Sequence, residues 1–194
     1  SAKEAMDINS NKNIPKQLTP VTIMVVDAIS SVKSRILLKV LLDSGSTTTM
    51  INRKCLPRNC QMCKISNSRK IVTLAGSYTS SEMVVLCNLR LPELDKNRNG
   101  DQQKALLFDA DSCRYDVILG ADFLSKTGID VKYSTGAIEW FDSELPLHET
   151  RYLQSKDFLA MAETMETQLE DDFFGMDWYD PTCYASEILN AKYE

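Results

Sequence analysis

The chain has 194 residues, 43% of them hydrophobic and 25% charged, with a net charge of −5. That is room for one globular domain and an appendage. No apolar run approaches the roughly 20 residues needed to cross a bilayer, and the polar start SAKEAMDINSNKNIPKQLTP lacks the apolar stretch of a secretion signal. The segment 151–194 carries ten acidic residues against three basic, so the body before it is nearly neutral. Nucleic acid is therefore disfavoured as the main partner, because phosphate binding needs a basic surface. The absence of an initiator Met and the abrupt end NAKYE suggest a segment of a longer polypeptide.

Residues 1–20 are expected to be a flexible linker. VTIMVVDAI (Val21–Ile29) and RILLKVLL (Arg35–Leu42) are rich in β-branched and aliphatic residues and flank SSVK, which predicts an antiparallel pair. After Asp43–Thr47 comes a short apolar return at Met50–Ile51. RKCLPRNCQMCK reads as a loop or short helical turn. Lys70–Leu74 and Glu82–Leu91 are strand candidates flanking AGSYTSS, whose small residues around Gly76 suit a hairpin tip. LDKNRNGDQQK reads as a surface loop by composition. Ala105–Phe108 and Tyr115–Leu119 read as short buried strands.

Gly120 closes the second of these, Ala121–Thr127 reads as a short helix, and Gly128 takes its C′ position. Ile129–Tyr133 and Ala137–Phe141 flank a turn at Ser134-Thr135-Gly136. These many short strands and one short helix predict an all-β, barrel-like domain over 21–149. The tail, 150–194, is acidic and partly helical: Asp157–Leu169 is helix-forming, Tyr184–Tyr193 suits a second helix, and the acidic, aromatic DDFFGMDWYDP lies between them.

The chemistry concentrates in LLDSGSTTTM, Leu41–Met50. An aliphatic strand pins the backbone before Asp43, Gly45 allows a tight loop with its N–H near the carboxylate, and Ser44 and Ser46 add hydroxyls. A carboxylate held this way can activate water if a second carboxylate lies beside it. Two such groups share one proton, so one is the base and the other the acid. Asp-Ser-Gly alone is a common turn tripeptide. Here it is followed by the Gly-bearing TLAGSYTSSEM and then by VILGADFL, an apolar strand ending in Gly before a helix.

This ordered set resembles the retropepsins, the aspartic proteases of retroviruses and long-terminal-repeat retrotransposons. YDVILGADFLSKTGIDVKYSTGAIEWFDSELPL is similar to the protease end of gypsy-type retrotransposon polyproteins, and ASEILNAKYE to the stretch that leads toward reverse transcriptase. The resemblance implies a retropepsin-like acid protease barrel acting as an aspartic endopeptidase on its own polyprotein. In it, Asp43 would be catalytic, with Ser44, Gly45 and Ser46 as the active-site loop. Ala75, Gly76 and Ser77 would lie at the flap over the substrate, and Ile118, Leu119 and Gly120 would support the loop. It implies no cofactor or metal and a cytoplasmic location, including inside virus-like particles. Many members have Arg directly after the apolar-apolar-Gly, paired with an Asp four residues after the catalytic one; here these positions are Ala121 and Thr47. Asp109, Asp116 and Asp122 lack the loop pattern. With one such loop per chain, a working pair requires two copies with both Asp43 residues on a two-fold axis, hence a homodimer.

Two other readings compete. The fold could serve as a non-catalytic dimerisation or peptide-binding module. Cys60-Gln-Met-Cys63, with Cys55 nearby, has partial zinc-ligand spacing, set in the basic scatter of Arg53, Lys54, Arg58, Lys64, Arg69 and Lys70. No second CxxC follows and the single His is His148. Without an export signal, free thiols are expected at Cys55, Cys60, Cys63, Cys87, Cys113 and Cys183. Trp140 and Tyr133 are expected in the core or an interface, and Phe173, Phe174, Trp178 and Tyr179 as a docking motif or tail packing.

Overall fold

The structure, a computed structural model, describes residues 17–175. The expected helix at Tyr184–Tyr193 and the aromatic residues Trp178 and Tyr179 fall outside them.

The chain is all-β with two α-helices, as the patterning predicts. Strand β1 (Leu18–Thr19) leads into β2 (Val21–Ile29) and β3 (Val32–Leu42), an antiparallel hairpin. Its turn is Ser30-Ser31, with φ of 42° and 70°. Left-handed conformation at both central residues gives the twist that a two-residue hairpin needs. β4 (Met50–Asn52) follows the Asp43 loop and runs into a single 3₁₀ turn, Arg53–Cys55. β5 (Cys63–Thr73) and β6 (Gly76–Leu91) form the next hairpin, and β7 (Asp95–Phe108) returns antiparallel to β6. β8 (Val117–Leu119) precedes helix α1 (Ala121–Thr127), whose C-cap Gly128 is left-handed, with φ 73°. β9 (Asp130–Lys132), β10 (Ala137–Trp140) and β11 (Ser143–Pro146) form a small meander. β12 (His148–Glu149) pairs with β1, and helix α2 (Lys156–Gly175) ends the described chain.

The main sheet runs β2-β3-β8-β4-β7-β6, and β2 also pairs with β6, which closes six strands into a barrel with β5 outside β6. Two parallel pairings, β3 with β8 and β4 with β7, bring distant segments together. Parallel pairs need long crossovers, so local sequence does not specify them.

β2 is buried at all nine positions, which explains its continuous apolar run: both faces are covered. Met24 and Val26 join one cluster with Leu38, Val40, Leu42, Val117, Leu119 and Phe123. Val21 and Ile23 join another with Leu41, Met50, Val85, Phe108 and Ile118. Helix α2 completes the second cluster. Phe158 is fully buried, and Met161, Ala162 and Met165 pack beside it at the i+3, i+4 and i+7 spacing of one helix face. The helix therefore sits on the barrel instead of trailing from it.

Two expectations are corrected. LDKNRNGDQQK is not a loop: the turn lies at Pro92–Leu94, and Asp95–Lys104 is the first part of β7, paired with β6. Its polarity reflects exposure on an extended ribbon, not the lack of ladder bonds. The flap tip is also displaced. β6 begins at Gly76, so Ser77–Ser81 is strand and the turn is the two residues Leu74 and Ala75, between the paired Thr73 and Gly76. Asp27, in the middle of β2, is buried and accepts from Arg35 Nε at 2.8 Å and Arg90 Nη2 at 2.9 Å. The partners explain how a carboxylate can occupy an otherwise apolar strand.

Candidate active site

Asp43 follows the last residue of β3, where that strand lies parallel to β8; its N–H donates to Leu119 O at 2.9 Å. The loop then folds back on itself. Gly45 N–H donates to Asp43 Oδ1 at 2.9 Å, and Ser46 N–H donates to Asp43 O at 3.1 Å. A Cβ at residue 45 would stand 3.1 Å from Oδ1, so the small residue lets the amide approach the carboxylate. Asp43 is buried, at 1% exposure, while Ser44 and Gly45 are exposed. Buried Ser46 donates through Oγ to Thr48 O at 2.9 Å.

The segment after β8 clamps this loop. Ala121 N–H donates to Ser46 O at 2.7 Å. Gly120 packs against the loop backbone so closely that a Cβ would meet Thr48 C at 2.7 Å and Ser46 O at 2.8 Å. Ile118 and Leu119 are fully buried beneath.

Thr47 and Ala121 carry no charge, and the loop and helix are joined instead one residue later in the helix and two later in the loop, by Asp122 and Thr49. Thr49 Oγ1 donates to Asp122 Oδ1 at 2.8 Å and accepts from Gly120 N–H at 3.1 Å. Thr49 N–H donates to Asp122 Oδ2 at 3.1 Å, Gln103 Nε2 donates to the same oxygen at 3.0 Å, and Phe123 N–H donates to Oδ1 at 2.8 Å. A carboxylate with four donors needs no cation to be satisfied. The signal for this brace lies in the sequence as the third Thr of STTT and the Asp after Gly-Ala. Nothing local, however, says that the two residues meet.

The hairpin of β5 and β6 bends over this loop. Leu74 N–H donates to Asp43 Oδ2 at 2.7 Å. Thr73 Oγ1 accepts from Ala75 N–H at 3.0 Å and donates to Gly76 O at 3.1 Å, and Gly76 takes a φ of 139°. Tyr78 Oη donates to Ala75 O at 2.8 Å while its ring lies 4.6 Å from that of Phe108. Burial and the neighbouring Cys113 push the Tyr78 phenol up to about 12, so it stays a donor at neutral pH. Of the expected flap residues, Ala75 is at the tip and Gly76 beside it, while Ser77 pairs with Val72 along the strand. Leu41, Leu74, Ala75, Tyr115, Tyr133 and Arg114 line a cavity of about 730 Å³ together with Leu18 and its neighbours.

The other aspartates are engaged elsewhere. Asp109 pairs with Arg53 at 2.9 Å. Asp116 accepts from Lys39 N–H at 2.8 Å and from Cys55 Sγ at 3.2 Å. Burial, with Asp116 second, pushes the Cys55 thiol up to about 12. Among the described residues no three His, Cys, Asp or Glu side chains group to hold a metal. Cys55, Cys60 and Cys113 are free thiols, and Cys183 lies outside the described residues. No described helix is long and apolar enough to cross a membrane.

A carboxylate so held, with one amide on each oxygen, can accept a proton from water that reaches it, and a dyad needs a second carboxylate from elsewhere. No protein-family model matches the chain, and no curated protein matches it. Among solved structures, the chain is similar to the retroviral protease-like domain of Ddi1 from Leishmania major, at 11% identity and a TM-score of 0.41. That match covers 71% of this chain and 99% of the other. It is also similar to a Legionella pneumophila protein of unknown function, at 15% identity and a TM-score of 0.32, over 56% of this chain and 86% of that one.

Proposed function

We propose that the chain is a retropepsin-like aspartic endopeptidase of a gypsy-type retroelement polyprotein, active as a homodimer. The observation that carries this reading is the buried Asp43 carboxylate, with Oδ1 fixed by the Gly45 amide on a loop clamped to Gly120 and Ala121. The Asp43 residues of two chains would share one proton across the two-fold axis, one activating water and the other protonating the scissile carbonyl oxygen. An extended polypeptide, its own polyprotein, would bind between the loop and the flap through backbone hydrogen bonds. The chemistry asks for no cofactor. The setting would be cytoplasmic, inside virus-like particles.

The test is cleavage of a polyprotein fragment by wild type and by Asp43→Asn. The variant should lose processing, and equal processing by both would refute the reading. Wild-type activity should rise more steeply than linearly with protein concentration. A second reading, a non-catalytic dimerising or peptide-binding module, is favoured by one observation: the Asp43 carboxylate is already covered by the Leu74 amide.

A further inference from the structure

Asp43 has two oxygens, and each accepts an amide from within its own chain. Oδ1 holds the Gly45 amide, a contact made by the loop itself. Oδ2 holds the amide of Leu74 from the hairpin tip. The 2.7 Å separation is that of a short, charge-assisted bond.

The backbone of the tip docks here, not its side chain. Leu74 is 69% exposed and the neighbouring Val72 67%. The tip is shaped for this contact by three further features. The Thr73 hydroxyl bridges Ala75 and Gly76, the Tyr78 hydroxyl holds the Ala75 carbonyl, and the φ of Gly76 lies outside the range of side-chain-bearing residues.

From this we propose that the flap is a latch: in the single chain, the Leu74 amide caps Asp43 and keeps it closed to water, to substrate and to a second Asp43. The inference rests on the proposed role of Asp43. Asp43 is only 1% exposed where the Leu74 amide covers it, so a second carboxyl or a water reaches the carboxylate only when the tip moves. A lone chain already lacks the second carboxylate; the tip adds a barrier to acquiring it, and assembly or an incoming peptide backbone must displace the tip. The Leu74 N–H that leaves Oδ2 becomes a free donor at the flap tip.

The latch can be read without any cleavage assay, using the full chain at concentrations where sedimentation shows a monomer. The first readout is backbone amide exchange followed by NMR. The Leu74 amide should exchange at least ~10-fold slower than in an unstructured peptide, and Asp43→Ala should remove that protection. The wild-type measurement stands alone if the variant misfolds: a Leu74 amide exchanging at the unstructured rate overturns the proposal. So does protection that survives in a folded Asp43→Ala.

The second readout is esterification of Asp43 by a small epoxide, followed by mass spectrometry. The carboxylate oxygen opens the epoxide carbon–oxygen bond, and the resulting alkoxide takes a proton from water. Leu74→Pro deletes the N–H, and residue 74 does not have the positive φ that would exclude proline. Leu74→Ala keeps the N–H and changes only the exposed side chain. Labelling at least ~10-fold faster in Leu74→Pro than in Leu74→Ala is expected, and equal rates overturn the latch. Processing that persists in Asp43→Asn would overturn the protease reading while leaving these two readouts untouched.

Discussion

The loop brace can be tested by Thr49→Val, which keeps the shape of the side chain and removes its hydroxyl. Thr49 is fully buried, and its hydroxyl makes two bonds, one given to Asp122 and one taken from Gly120. Valine leaves the Gly120 amide without its acceptor in a buried place, a cost of about 1–3 kcal/mol. It also takes one charge-assisted donor from Asp122, worth about 1.5–3 kcal/mol. Asp122 keeps the amides of Thr49 and Phe123 and the Gln103 side chain, so the second loss is partly made good. The expected destabilisation is about 2–4 kcal/mol. Urea unfolding should show it as a lower midpoint with an unchanged slope, and thermal unfolding as a drop of roughly 5–15 °C. A loss below about 0.5 kcal/mol, the level of an ordinary surface substitution, would refute the idea that this hydroxyl braces the loop.

Two more tests concern parts of the fold away from the loop. Phe158→Ala, at the centre of the face that α2 lays on the barrel, should cost about 3–5 kcal/mol of unfolding free energy; a change under about 1 kcal/mol would mean that the helix contributes no packing. Cys55 should resist alkylation at pH 8 in the folded chain, because its thiol is pushed up to about 12. The raised value means that the protonated thiol is favoured on folding, a contribution present below the ordinary cysteine range and lost as pH rises toward 12. Labelling at pH 8 as fast as in the urea-unfolded chain would contradict this.

Most of the strands were legible because period and turn chemistry are local. The aliphatic runs of β2 and β3, the helix from Ala121 to its glycine cap, and the turn at Ser134–Gly136 all announce themselves in a few residues. β7 did not, because its first half is exposed and polar, and composition reports contact with water better than it reports ladder pairing. The flap tip was misplaced by a residue or two for a related reason: the small residues after Gly76 suit a turn, yet the register puts them in a strand.

The sequence by itself singled out Asp43, the glycine that lets an amide reach its carboxylate, and the later Gly120 strand end. It also showed that one such loop per chain cannot make a dyad. Only the tertiary structure decided what Asp43 touches. Barrel closure sets β8 beside β3 and α1 against the loop, and this turns Thr49, Gln103 and Asp122 into a brace. The fold of the hairpin places the Leu74 amide on the remaining carboxylate oxygen. Contacts of this kind join residues some 20 to 70 positions apart, and they depend on strand pairing and register across the whole barrel, which no local pattern of residues encodes.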